Sequence, residues 1–575
     1  MLAELTLSTL LAICTIIPEL YARVKSKLSW TPINVPPMQI GDDYHYFSIL
    51  NQYYNKILTI TKKPEGLFNN ASANSKYQLA GYLFNLIPFH IGNLIEDRRM
   101  GVVVVRLVNR FFLFFLGIST FHLYFTIIGC PPKLLQALSV LSILIYFLFY
   151  PGPIDRIKLK DTLMGSLNEK KRIYEVSCIN DLTRAMFSET TAPILILNLY
   201  FNLSFHQSPS ILAITGLTVT CLFLFFHYAP AGLVSLFLTE STLFIEGYLI
   251  IGFIILLFYT ICFTKYLKDI FKDQICKEVF SARRGGLLII SKGAPIESIA
   301  RAMVGGLLVY LASRKIDLVC LIIFLSVLNF SKMLNSPHAS RIWNRAANIA
   351  FQFLCVGSLI GIIANYTQKM PIDLKSVTLQ AVIWGVCAIL IFLFIRFSAS
   401  NAKYLFENQS TKWNIRTAKL MRRLMKRKRN EEKKPKIATY SLELAGAIPI
   451  FTTHDCLFKN YSIQNHGYRK HLKNILKNFI FLGADKKTII KWLTIKIDYE
   501  DWIYKRQHFK RQSKDLAVYC HTLQYFATNR EYNIKLRDDH MYDAKKGWTA
   551  KYKRLLLQKW NECIIELQIL QVRKI

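Results

Sequence analysis

The sequence predicts a mainly α-helical fold: a polytopic membrane helix bundle of about ten or eleven transmembrane helices with a small C-terminal soluble domain, α+β or helical. Three observations carry this. Of the 575 residues, 52% are hydrophobic and 39 are Phe, and the mean hydropathy is +0.26, more apolar bulk than a soluble chain of this length buries. Apolar runs of about 17–25 residues, the length that crosses ~30 Å of hydrocarbon as helix, recur as far as residue 397. From 398 onward the chain turns polar and strongly basic.

Taken in order, the first apolar run is 3–21. Glu4 stands before it, no basic segment leads it and no A-x-A cleavage pattern follows, so it is expected to be a retained helix rather than a signal peptide. Clear spans are 103–128, 133–150, 210–228, 244–265, 316–332, 349–367 and 376–397; shorter or interrupted ones are 191–207 and 301–313. Segment 77–96 contains Pro88, His90 and Gly92, and either crosses, re-enters or lies in the interface. Four segments result: 1–102 with the first helix and a long polar loop, 103–397 as the bundle, 398–436 as a basic linker, and 437–575 as the soluble domain. The loop 152–190 has an amphipathic pattern suited to helices on a membrane surface. In the tail, "IATYSLELAGAIPIFTTHDCLF" reads as strand, helix and second strand.

Charge and cysteine content narrow the partners. Formal net charge is +36, and much of the excess lies in "KWNIRTAKLMRRLMKRKRNEEKKPK" directly after the last span. A basic segment this near a bilayer is suited to anionic lipid headgroups, each Lys or Arg contributing on the order of 1 kcal/mol. The tail carries no zinc-finger, RNP or helix-turn-helix signature, so nucleic acid is not the expected partner. The twelve Cys are scattered, with no CxxC pair, which argues against a disulfide framework or zinc site. No internal repeat is visible, and the two halves of the bundle do not echo each other as inverted-repeat transporters do.

With ten spans and the N-terminus inside, the basic segments 266–300, 333–348 and 398–436 fall in the cytoplasm and the loops 22–102 and 152–190 outside, as the positive-inside rule asks. With eleven, the tail moves outside.

The stretch "QIGDDYHYFSIL", residues 39–50, places Asp42 and Asp43 just after the first span. Adjacent carboxylates repel unless a proton or cation sits between them, and a divalent metal is the usual resolution when the pair is functional. The same residues also suit the N-terminus of a helix through 44–56, where the helix dipole favours acids. Arg98 and Arg99 stand at the mouth of the span that begins at 103, with Arg106 and Arg110 one and two turns further in. Snorkelling at the interface accounts equally for the first two; Arg106 needs a partner, a lipid phosphate or a cavity. Asp155 and Arg156 in "YPGPIDRIK" fit either a site residue pair or a turn, Glu240 and Glu246 read as a solvated loop flanking 244–265, and His454–Asp455 reads as a turn or a weak acid/base pair.

This layout resembles the GT-C class of membrane glycosyltransferases, including uncharacterised bacterial members. The resemblance is carried by "GDDYHYFSIL" after the first helix, "EDRRMGVVVVRLVNRFFLFFLG" leading into the next span, the loop 152–190, and the tail opening "ATYSLELAGAIPIFTTHDCLF". It implies an integral protein of the bacterial inner membrane that transfers a sugar from a polyprenyl-phosphate-type donor to an envelope or surface glycan, or lipid, acceptor. Asp43 would be the base, Asp42 its helper or metal ligand, Tyr44 and His45 donors near the acceptor, and Arg98, Arg99, Arg106 and Arg110 the phosphate holders. Asp42 and Asp155 would hold a divalent ion, Mg or Mn, where one is used. GT-C enzymes with a large soluble tail place it outside, and long domains cross regardless of flanking charge. The competing class is a transporter or flippase for a lipid-linked or anionic solute.

Overall fold

The computed structural model describes residues 2–17, 42–57, 79–149, 185–272, 294–327, 337–369, 376–404 and, in the tail, 424, 436–438, 442–452, 454–456, 477–478, 480–481 and 572–574. They are mostly helical. The chain divides into two compact units, one formed by 1–39, 77–265 and 290–412 and the other by 40–76, 266–289 and 413–575. The segment 40–76 thus belongs with the tail. Expectations for 152–184 and for the basic linker fall outside the described residues.

The first unit holds α1 (Leu2–Thr15), α3 (Leu79–Ile95), α4 (Arg98–Ile127), α5 (Leu135–Phe149), α6 (Ala185–Gln207), α7 (Ile211–His227), α8 (Ala229–Ile245), most of α9 (Leu249–Lys272), α10 (Ala294–Ser313), α11 (Ile316–Val327), α12 (Pro337–Lys369) and α13 (Ser376–Tyr404). Among the described residues, three stretches are long and apolar enough to cross a membrane: Arg98–Ile127, Ala347–Thr367 and Thr378–Arg396. The remaining apolar helices are shorter.

Helix α4 is the axis. Its N-terminal part is covered by α3, with Gly92 against Gly101 and Asn85 bonded to Asn109. Its C-terminal part is covered by α1, α5 and α12. Glu4 lies beside His122 while Arg110 reaches the Thr15 carbonyl, so α1 runs antiparallel to α4. Phe114 meets Phe147 and Gly117 meets Ile143, so α5 does the same. Phe121 stacks on Phe353, Tyr124 bonds to Ser358 and Ile128 meets Gly361, so α12 runs parallel to α4.

The other directions follow. Arg301 bonds Asn348 and Gly305 meets Phe351, which sets α10 parallel to α12, and Gly306 against Val319 folds α11 back on α10. Asn198 bonds Thr239 and His206 bonds Glu246, which sets α6 parallel to α8, with α7 returning between them through Asn198–Thr220 and Cys221–Ser235. Gly232 against Tyr259 turns α9 back on α8. Cys387 near Ala137 and Phe394 on Phe147 align α13 with α5.

Two unlike ends result, named here for the start of α4 (the arginine end) and for its finish (the histidine end). Described residues join the helices at the histidine end in short connections: 128–134, 208–210, 246–248 and 314–315. Three of these turn on left-handed residues, Gly129 (φ 73°), Gly247 (φ 80°) and Arg314 (φ 55°). Helices α1, α5, α11 and α13 finish, and α6, α10 and α12 begin, at the arginine end.

One correction is α8. Residues 229–243 fall between the expected spans 210–228 and 244–265, in the stretch read as a loop bearing Glu240, and Pro230, Glu240 and a run of Ser and Thr dilute its apolar pattern. Ser235, Thr239 and Thr242 are fully buried, however, the first two bonded to Cys221 and Thr239 also to Asn198. Pro230 falls in the first turn, where its missing N–H is harmless, so α7 stops and α8 restarts at Tyr228. Glu240 therefore sits within a helix, half-buried, rather than in a loop.

In the second unit, α2 (Asp42–Ile57) packs on α14 (Leu442–Phe451), burying Phe47, Leu50, Tyr53 and Tyr54 among that unit's apolar side chains. Asn51 donates to the carbonyls of Pro449 (2.7 Å) and Thr452 (3.0 Å), satisfying acceptors that the end of α14 leaves open. Strand β1 (Lys436–Ala438) lies between β2 (Asp455–Cys456) and β3 (Val572–Lys574), all parallel. The strand, helix and strand expected from "IATYSLELAGAIPIFTTHDCLF" are present. The His454 N–H donates to the Thr452 hydroxyl, a turn between α14 and β2.

A Cβ on Gly92 would stand 2.5 Å from the Met100 carbonyl oxygen, a backbone atom that cannot swing aside, whereas one on Gly385 meets nothing within 4 Å. Gly92→Ala is expected to cost about 1–3 kcal/mol as overpacking and to lower the detergent-solubilised melting temperature by several degrees, with Gly385→Ala unchanged. Differential scanning fluorimetry on the two variants checks it.

Candidate functional site

The N-terminal part of α4 brings together several buried polar groups. Asp97 caps the helix by accepting from the Arg99 N–H at 2.8 Å, and its carboxylate is gripped by the same residue's guanidinium, Nε to Oδ2 at 3.0 Å. Arg99 is thus engaged locally by a charge-assisted fork. Arg110 donates from Nη1 to the Thr15 carbonyl at 2.7 Å, satisfying an acceptor that the last turn of α1 leaves unpaired. Arg106 lies one turn before it and is buried; Arg98 is half-buried. By the rise of an α-helix, Arg106 and Arg110 stand roughly 12 and 18 Å from the start of α4.

Between the two arginines sits a closed ring that the sequence pattern did not reveal. Asn109 donates to the Asn85 oxygen (2.7 Å), Asn85 donates to the Thr190 hydroxyl (3.0 Å), and that hydroxyl donates to the Asn109 oxygen (3.3 Å). All three side chains are fully buried. The ring ties α3, α4 and α6 to one another in a place where water cannot substitute for a lost partner.

On its outer side α3 shows the opposite character. Leu83, Ile87, Ile91 and Leu94 form an exposed apolar ladder at helical spacing. A greasy outer face lies on the helix whose inner face bonds to the polar belt.

Of the other sequence-predicted residues, Asp42, Asp43, Tyr44 and His45 form the first turn of α2, in the second unit. The acids therefore occupy the helix start that their residue type favours, and the side chains of 42–46 lie outside the described ones. Asp155 lies outside the described residues.

A second polar system runs along α6. Thr190, Asn198, Asn202 and His206 recur at four- or eight-residue intervals on one buried stripe. Asn198 bonds Thr220 (2.9 Å) and Thr239, and Asn202 donates to the Asn198 side-chain oxygen at 3.1 Å. At the histidine end, His206 Nδ1 lies 2.6 Å from Glu246 and 3.3 Å from Asp317. These carboxylates come from the end of α8 and the start of α11. Glu246, expected to be merely solvated, is thus held by a buried imidazole. The signal was present in "NLYFNLSFH", whose N-x3-N-x3-H spacing puts all three side chains on one helix face within an apolar run.

No family model matches the chain, and no curated protein matches it.

Removing Asn109 leaves the polar atoms of Asn85 and Thr190 buried without their shared partner. Asn109→Ala is expected to cost about 1–3 kcal/mol, and Thr190→Ala to cost less in that background than alone. A double-mutant cycle read by thermal unfolding in detergent checks the coupling.

Proposed function

We propose that the chain is an integral membrane glycosyltransferase of GT-C layout, taking a sugar from a lipid-phosphate carrier. The observation that carries this is the asymmetry of the first unit. Its arginine end holds Arg98, Arg106 and Arg110 together with the helix that carries the apolar ladder, α3. Cationic groups beside a greasy helix face suit an anionic headgroup with a prenyl tail.

The membrane reading follows from helix directions. Helix α4 is about 45 Å long, and its C-terminal 110–127, about 27 Å, is the part flanked by α1, α5 and α12. We take that part as the hydrocarbon slab. The four arginines then fall at or beyond its boundary, and α3 lies mostly on the outer side rather than crossing. Counting α1 and α4 to α13 gives eleven crossings, with the start of α1 and the end of α13 on opposite faces. The positive-inside rule assigns the basic segments 266–300, 333–348 and 398–436 to the cytoplasm. The GT-C layout assigns the arginine end to the outside, and that is the orientation proposed.

In the transfer, an acceptor hydroxyl attacks the anomeric carbon and gives its proton to Asp43. The carbon–oxygen bond to the carrier breaks, and the phosphate leaves with the electron pair. Tyr44 and His45 would orient the acceptor, and Asp42 would assist Asp43 or hold a divalent ion.

The buried polar stripe of α6 favours a second reading, a transporter or flippase, since polar side chains along a bundle interior are the ordinary lining of a solute path.

Asp43→Asn is expected to abolish transfer in membranes supplied with lipid-linked sugar, by about 10²-fold or more, with protein levels unchanged. Full activity in that variant would sink the enzyme reading, and retained solute flux without transfer would favour the transporter. Topology reporters fused before residue 2 and after residue 440 are expected to report opposite faces; the same face for both would refute the eleven-crossing arrangement.

A further inference from the structure

The histidine end holds a constellation that glycosyl transfer does not use. The His206 side chain is fully buried, and its Nδ1 faces Glu246 and Asp317, whose side chains are about one-quarter exposed, at 26% and 23%. One oxygen of each carboxylate and the imidazole nitrogen all lie within 4.8 Å of one another. Two carboxylates converging on a single nitrogen repel each other unless a positive charge stands among them. Among the described residues, that imidazole is the only side chain ion-paired to either acid.

A second, independent observation lies one turn deeper. Helices α6 and α8 are joined in register at Asn198–Thr239 and again at His206–Glu246. Between these rungs, Asn202 and Thr242 are fully buried, and the Asn202 Oδ1 and Thr242 hydroxyl oxygens have no hydrogen-bond partner among the described residues; nor does His206 Nε2. Unpaired oxygen acceptors beneath a His–Glu–Asp cluster are costly in a protein interior unless a cation or its water shell satisfies them.

We propose that His206, Glu246 and Asp317 bind a divalent transition metal, clasping the ends of α6, α8 and α11. One imidazole nitrogen with two carboxylate oxygens suits zinc or manganese rather than a thiolate-loving ion. The metal displaces the proton that His206 Nδ1 otherwise shares with the acids, and the partly exposed carboxylates give it a way in. This site lies at the opposite end of the unit from the arginines, and it stands whether or not the chain transfers sugars.

The test uses the full chain in detergent, stripped with chelator and titrated with zinc. Wild-type protein is expected to retain one more equivalent of zinc through gel filtration than His206→Ala, and the X-ray absorption edge should report nitrogen and oxygen ligands without sulfur. Zinc held by histidines in the tail is common to both proteins and cancels in the difference. Glu246→Gln, a near-isosteric change at a partly exposed position, carries the comparison if His206→Ala aggregates; its zinc affinity should fall about tenfold or more. Equal zinc retention by wild type and variants, no retained zinc in wild type, or sulfur in the ligand shell would each overturn the site.

Discussion

Everything in the first unit depends on one constraint: polar groups buried inside a bundle must find their partners inside it. The Asn85–Asn109–Thr190 ring meets it by joining α3, α4 and α6, each member serving as donor or acceptor for the next. The Asn198, Thr220 and Thr239 contacts meet it between α6, α7 and α8. Apolar packing alone tolerates sliding, since one Leu fits against several neighbours. A hydrogen-bonded rung does not, because a shift of one residue leaves every member unpaired at about 1–3 kcal/mol each. The rungs therefore set the register of helices whose apolar faces would accept several.

The same constraint separates what the sequence disclosed from what it did not. Spans dominated by Leu, Ile and Phe, such as 133–150 and 376–397, correspond closely to α5 and α13 because uninterrupted apolar runs have one way to satisfy their backbone. Helix α8 escaped because its Ser, Thr and Glu residues count as polar in a linear pattern, although most are buried against Asn198 and Cys221. Whether a hydroxyl is solvated or bonded to a neighbouring helix is a tertiary fact, and a single run of residues does not encode it.

The candidate site divides along similar lines. Residue type and position picked out Arg106 and Arg110 because a charge within an apolar run demands a partner, and both are buried. Arg99 was equally conspicuous, yet its nearest acid is Asp97, two residues away, so local capping accounts for it. The acids of "GDDYHY" open α2, as their helix-start preference suggests. His206 drew no attention because a lone histidine at the end of an apolar helix has no chemistry until two loops distant in sequence deliver Glu246 and Asp317 to it.

The contrast between the two ends follows from how the turns are built. At the histidine end the chain reverses within a few residues, using left-handed positions at Gly129, Gly247 and Arg314, and such short turns hold successive helix ends close together. That closeness allows single side chains from α6, α8 and α11 to converge on one point without any long loop. At the arginine end the buried polar belt is built from one long helix and its neighbours instead. Tight turns thus favour a compact ligand that touches all three helices.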